Sequence, residues 1–332
     1  MPSLKDIALY TGYSPSTISR VVNNKTVVNE KTRKKIMEAV NELGYKPNLL
    51  AQGLRGKKGN LIGLVVPNDT THSFDVITHS TIEIARKKGY EVILGSGNDD
   101  PKIEADFIDN LVRRNINGII MSRVSDQSSI MPKLIKKKIP IVVVDRTLEN
   151  ESVTKIILDN MKAGRLAAEY LLSLGHEKFA CISGPFNITL GRERLQGFRD
   201  VLKENGLTLN DENIYEGDFK FKSGISGVKE LIQKNRDFTA IWALNDLMAF
   251  GALKELNRHN IKVPSEVSVM GMDNMDFCEM IIPSLTTIHY PFKQMAELAV
   301  DLIVRMAENN MVETQTVILQ PSVVVRESTK KI

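Results

Sequence analysis

Leu4, Ile7, Ala8 and Thr11 recur at helical spacing and are followed by Gly12, which predicts a helix of about eight residues stopping there. A turn then reaches Ser14. Its hydroxyl suits the cap of a second helix, and Pro15 suits the first helical position because the N–H it lacks would go unpaired there. Along that helix Ile18, Val21 and Val22 share one face, while Ser16, Ser19, Arg20 and Asn23 share the other. A third helix is expected from Asn29 as its cap, with Ile36, Val40 and Leu43 facing inward and "KTRKK" at its start. Two short helices joined by a Gly-containing turn, with a third closing their core, make a helix-turn-helix headpiece.

In "YKPNLLAQGLRGKKGN", Asn48 can cap a helix over about 49–55, with Leu50 and Leu54 as an apolar stripe. Such a helix is shorter than the roughly twelve residues needed to persist alone in water, so it is expected to order only on a partner. From Asn60 the pattern changes to short β-rich apolar runs, among them "LIGLVVP", "YEVILGS", "INGIIMS", "IPIVVVD", "FACISGP", "TAIWALN" and "VSVMGMD". Helical stretches such as 73–88, 161–174, 190–204 and 246–258 separate them. This is the rhythm of parallel, doubly wound sheets, and ten or more strands predict two α/β lobes. The expected fold is α+β multidomain: an all-α headpiece over 1–47, a hinge helix and linker over 48–59, and an α/β core over 60–332.

Charge adds a partner to this picture. Residues 1–60 hold 11 Lys and Arg against 4 Asp and Glu, whereas the remainder holds 33 against 36. A basic head on a slightly acidic body points to a polyanion. The polar face of the second helix then reads as a base-reading surface, because small hydroxyls, one Arg and an Asn allow close approach to base edges and phosphates. The N-terminus lacks the pattern of a secretory signal and no apolar run approaches the roughly 18 residues of a membrane helix, so a soluble, cytoplasmic protein is expected. Cys181 and Cys278 have no metal spacing and are expected as reduced thiols. There is no "GxxxxGK[ST]", "GxSxG" or "HExxH", and the five histidines are scattered; no catalysis, metal or cofactor is expected. His176 in "LGHEKF" is expected to end a helix, its cation or N–H meeting the last carbonyls.

In doubly wound sheets ligands bind at the carboxyl ends of strands. Those ends present Asp145 and Arg146 in "VVVDRT", Asp218 and Phe219 in "EGDFKF", Asn245 and Asp246 in "ALND", and Asp273 and Asn274 in "MGMDN"; the helix start "GRERLQGF" adds Arg192 and Arg194. Carboxylates, guanidinium groups, an amide and an aromatic ring without metal spacing suit a sugar, whose hydroxyls pair with the polar groups while its apolar ring face stacks.

The order "LKDIALYTGYSPSTISRVVNN", "YKPNLLAQGL", "GLVVP", "VDR", "LGH", "ISGP", "RLQGF", "MGMDN", "PSLTTI" and "VVRES" resembles the lactose/galactose repressor (LacI/GalR) family over nearly the whole chain. The resemblance implies a homodimeric repressor that reads a pseudo-palindromic operator on double-stranded DNA, with a core built like periplasmic sugar-binding proteins that senses a small sugar effector. It implies DNA contacts from Ser14, Pro15, Ser16, Thr17, Ser19, Arg20, Asn23 and Asn29, with Arg20 as guanine reader, Leu54 intercalating from the hinge and Arg55 beside it. It implies effector contacts from Phe74, Asp145, Arg146, Arg194, Phe219, Asn245, Asp273 and Tyr290. It also implies one lobe from about 60–159 plus 289–320 and the other from about 160–288 plus 321–332. The chain departs from the family pattern in its hinge, "AQGL" where Ala-Arg-x-Leu is usual, in "THSF" at 71–74 where Asn-Pro-Phe-Phe is usual, and at Tyr290 where Gln is common. Lacking a Leu-heptad tail, it is expected to be a dimer. Two alternatives stay open: a global regulator with a phosphorylated carrier protein as corepressor, and a cytosolic sugar-binding protein.

Overall fold

A computed structural model describes residues 2–22, 28–45, 60–67, 72–122, 131–145, 153–234, 237–309 and 314–332. They fall into two compact units divided after Gly59. Asn23, the hinge with Leu54 and Arg55, and Arg146 lie outside the described residues.

The first unit is three helices: α1 (Leu4–Thr11), α2 (Pro15–Val22) and α3 (Glu30–Glu42). The local signals act as expected. Gly12 ends α1 at φ 75°, a left-handed conformation that costs glycine nothing, and donates its N–H to the Ala8 carbonyl. Ser14 Oγ accepts from Thr17 N at 3.3 Å, and Asn29 Oδ1 accepts from Lys31 N at 2.9 Å. Ser3 and Asp6 add a reciprocal capping box on α1. Ile7, Ile18, Val21, Ile36, Ala39 and Val40 form the core of this unit.

The second unit carries two six-stranded sheets. One has the order β2 (Glu91–Ser96), β1 (Leu61–Val66), β3 (Gly118–Met121), β4 (Ile141–Val144), β5 (Thr154–Leu158), β11 (Thr316–Leu319), all parallel. The other has the order β7 (Ile214–Glu216), β6 (Phe179–Ser183), β8 (Ala240–Ala243), β9 (Ser268–Asp273), β10 (Thr286–His289), β12 (Ser322–Val324), antiparallel only at the last pair. The two-residue period of the strands divides the first lobe into layers. Ile62, Leu64, Val66, Ile120, Val142 and Val144 join the core on one face, with Ile77 of helix α4 (His72–Lys87) and Ile303 of the long helix α12 (Phe292–Asn309). Val65, Ile119, Met121, Ile141 and Val143 meet Ile108 and Leu111 of α5 (Pro101–Arg113) and Leu134 of α6 (Met131–Lys136) on the other.

The second lobe holds α7 (Asn160–Ser173), α8 (Thr189–Glu204), α9 (Phe221–Lys234), α10 (Asp246–Arg258) and the short α11 (Phe277–Met280). The chain passes between sheets three times, from β5 to α7, from β10 to α12 and from β11 to β12. Two of these crossings are tied together: Asp159 N donates to the Leu319 carbonyl at 3.0 Å and Lys162 Nζ to Gln320 Oε1 at 2.8 Å.

Candidate functional site

On the headpiece, Ile18 and Val21 are buried, which fixes the orientation of α2. Ser14, Pro15, Ser16 and Arg20 are exposed, as is Asn29 at the start of α3; Thr17 and Ser19 are half-buried. Ser14 Oγ lies 2.8 Å from Ser16 Oγ and 2.9 Å from Thr17 Oγ1, so three hydroxyls cluster at the helix start. Exposed Lys31, Lys34 and Lys35 lie on the first turns of α3. The result is a short polar face with one guanidinium on α2, on a unit that also carries basic side chains.

In the second unit the carboxyl ends of the strands converge on a cavity lined by Ser73, Phe74, Asp145, Leu190, Arg194, Phe219, Asn245, Leu247, Asp273, Tyr290 and Phe292. Asp145 directly follows β4 in one lobe; Asp273 ends β9 in the other; Tyr290 lies on a crossing between them. Asp145 (φ 62°), Phe219 (φ 63°) and Asp273 (φ 123°) all occupy backbone conformations that side chains rarely adopt. Such conformations hold only where the surroundings enforce them, and they cluster at ligand clamps. Gly184 at the end of β6 makes one of these arrangements feasible, because a Cβ there would stand 2.0 Å from Phe219 Cζ.

The polar groups are held by one another. Tyr290 donates its phenol proton to Asp145 Oδ1 at 2.5 Å and stacks on Phe292 with ring centroids 4.0 Å apart. Burial and the neighbouring Asp145 carboxylate raise the Tyr290 phenol well above its ordinary range, so it remains a donor. Arg194, buried, donates Nε to Asn160 Oδ1 at 2.9 Å and Nη1 to the Leu244 carbonyl at 3.0 Å, its guanidinium 5.7 Å from the centre of the Tyr290 ring. Asn245 caps α10 through Oδ1 and donates Nδ2 to the Phe219 carbonyl at 2.8 Å. Burial raises the Asp273 carboxyl well above the ordinary carboxylate range; Asp246 and Asp145 raise it further, and Arg194 opposes them. The remaining space is about 40 Å³, room for roughly three waters.

Of the effector residues expected from the resemblance, Phe74, Asp145, Arg194, Phe219, Asn245, Asp273 and Tyr290 are brought together here. Four other residues of the strand-end set are not. Asp246 is fully buried within its own lobe, accepting from Thr287 Oγ1 at 2.6 Å, Met275 N at 2.8 Å and Cys278 Sγ at 3.1 Å. Asp218 is exposed and caps the turn at Lys220 N. Asn274 accepts from Arg326 Nη2 at 2.8 Å. Arg192 lies two residues, about 200°, around α8 from Arg194, and donates to the Phe186 carbonyl and Thr189 Oγ1. Ser73, Leu190, Leu247 and Phe292 were missed, although each lies at or just inside a helix start that follows a strand, a readable signal.

His176 also corrects the expectation. Its backbone N–H does reach the Leu171 carbonyl, but the ring is buried between Thr239 Oγ1 (2.9 Å) and Ser268 Oγ (3.0 Å), where burial lowers its pKa and keeps it neutral. Cys181 and Cys278 are free and buried. Among the described residues no group of three or more His, Cys, Asp and Glu could hold a metal, and no helix is long and apolar enough to cross a membrane.

Residues 3–48 match the model of bacterial regulatory proteins of the lacI family, and residues 168–329 match the periplasmic binding protein-like domain. The HTH-type transcriptional regulator DegA of Bacillus subtilis (strain 168) is 33% identical over 98% of both chains. The chain belongs to the lacI family. It is a DNA-binding transcriptional regulator with a ligand-binding core, and not an enzyme. Within the family, the HTH-type transcriptional repressor PurR of Vibrio vulnificus (strain CMCP6) is 31% identical over the full length of both chains. The Lac repressor dimer bound to operator and the anti-inducer ONPF superposes with a TM-score of 0.91 at 29% identity over 99% of both chains. A LacI family regulator from Enterococcus faecium with bound ribose superposes with a TM-score of 0.74 at 27% identity, over 82% of this chain and 99% of that one.

Proposed function

We propose that this chain is a cytoplasmic, homodimeric repressor that reads a pseudo-palindromic operator through α2 and is released by a small, unphosphorylated sugar bound between the lobes of its core. The cleft carries this reading: carboxyl, guanidinium and amide groups converge with four aromatic rings at the strand ends of both lobes, the chemistry that recognises a polyol with an apolar ring face. Burial and the neighbouring Asp246 and Asp145 carboxylates already disfavour Asp273 as an anion, and that crowding of carboxyls supports a neutral ligand over a phosphate ester. The ribose held by the Enterococcus faecium neighbour supports a pentose as the first compound to test. A dimer is supported by the Lac repressor neighbour and by the exposed apolar side chains of Phe277, Met280 and Ile282 on one short stretch of the second lobe.

Ligand bound between the lobes changes operator affinity by its differential affinity for two core states, so ligand and operator weaken each other by the same factor. Titrating protein–operator complexes with pentoses, hexoses, their phosphates and purines tests the effector; no response to any unphosphorylated sugar refutes it. Arg20→Ala tests the headpiece. The expected loss is about 1–3 kcal/mol of operator affinity with relaxed preference at one base pair, and unchanged sequence preference refutes the assignment.

A further inference from the structure

The core as a whole is slightly acidic, with 33 Lys and Arg against 36 Asp and Glu beyond residue 60, yet one edge of its first lobe has the opposite sign. Pairing of Ile62 with Gly118 and of Ile119 with Ile141 sets the first residues of β1, β3 and β4 side by side. The helices that lead into β3 and β4 therefore run out at this same edge. Arg113 and Arg114 stand at the end of α5, and Lys136, Lys137 and Lys138 at the end of α6, all five exposed. Neighbouring strands are about 4.8 Å apart, so the two groups flank a front only a few strands wide.

Nearby cations at helix ends are neutralised: Lys87 pairs with Glu83 and Lys88 with Asp301, while Lys133, a turn earlier on α6, pairs with Asp109. Arg113, Arg114 and Lys136–Lys138 have no ion pair among the described residues. A helix C-terminus favours a cation in its last turn, by about 0.3–1 kcal/mol. That accounts for one side chain per helix, not for three consecutive lysines of which Lys138 (φ 54°) has already left the helix.

The chain enters the core at this edge, since Asn60 immediately precedes β1. DNA held by the headpiece is thus tethered to the basic edge by residues 46–59, and a tether raises the effective concentration of one for the other. We infer that this edge is a second, sequence-independent DNA contact that grips phosphates flanking the operator. The inference rests on the operator reading above.

The test uses the full chain, a duplex of about 20 base pairs carrying a site the protein selects from a random library, and a longer duplex with the same site centred. The comparison is with the variant R113Q/R114Q/K136Q/K137Q/K138Q, with unchanged thermal unfolding as control for its fold. The plot of log affinity against log salt steepens by about 0.9 per phosphate neutralised. With one edge contact per protomer of a dimer, raising salt from about 50 to about 200 mM should weaken wild type on the long duplex about 12-fold more than the variant. On the short duplex the two should agree. Equal slopes for both proteins on the long duplex overturn the inference, leaving the edge to an acidic protein partner; an equal loss on both duplexes overturns the flanking contact. If wild type selects no site, the operator reading fails, and the same slopes on a long random-sequence duplex decide the basic edge independently.

Discussion

Tyr290→Phe isolates one oxygen atom in the cleft. The aromatic ring remains to stack on Phe292, while the donor to Asp145 Oδ1 is lost. Both partners are almost wholly withdrawn from bulk solvent, at 2% exposure for Tyr290 and 8% for Asp145, so only a water ordered within the cleft could take the lost donor's place. Hydrogen bonds to charged groups contribute about 1.5–3 kcal/mol, and the acceptor left behind bears the full desolvation cost. At about 2–4 °C per kcal/mol for a body of this size, the core should melt about 3–12 °C lower. Thermal unfolding followed by circular dichroism, together with the fluorescence of the buried Trp242, measures the shift. The freed Asp145 is then available to a ligand hydroxyl, so saturating effector should recover more stability in the variant than in wild type. A melting temperature within about 1 °C of wild type would show that the phenol–carboxylate bond contributes nothing in the ligand-free cleft.

Three further outcomes are expected. Gly184→Ala drives a methyl group into the Phe219 ring, costing about 1–3 kcal/mol of core stability and displacing the ring; retained effector affinity in calorimetry would refute that placement. Ser14→Ala removes the α2 cap and should cost the headpiece about 1 kcal/mol in urea unfolding, and an unchanged midpoint would show the cap to be idle. His176 is held neutral by burial, with its pKa lowered, so as pH falls below about 6.5 the unfolded chain protonates first and stability declines until the folded ring also takes up its proton. His176→Asn should flatten that part of the stability–pH profile, and a profile that keeps the wild-type slope would place the sensitivity elsewhere, for example at the similarly lowered His289.

The headpiece was legible residue by residue because its determinants are local: Gly12 stops α1, Ser14 and Pro15 start α2, and Asn29 starts α3. The core rhythm was legible for the same reason, and α10 falls on the expected 246–258. The cleft was legible as a set of strand ends, but which of those side chains enter it was not. Asp246 and Asp273 are both carboxylates at the ends of neighbouring strands. Asp246 turns inward because Thr287, 41 residues later, donates to it, and no local pattern encodes that meeting. Arg192 and Arg194 share one helix start and part company only through the angle between them and the partners each side offers. His176 sits where a helix ends, yet its ring is claimed by Thr239 and Ser268 from two later strand entries.

The threefold passage of the chain between the sheets also constrains how the protein can be made. β11 completes the sheet begun by β1 some 250 residues earlier, and β12 closes the other sheet only after that. During synthesis neither lobe can finish while the ribosome still holds residues beyond about 315, so both wait unfinished with an open strand edge, a state prone to mispairing. A premature stop before Thr316 would remove an edge strand from each lobe at once. It would leave the headpiece residues intact while both lobes that frame the cleft lack a strand.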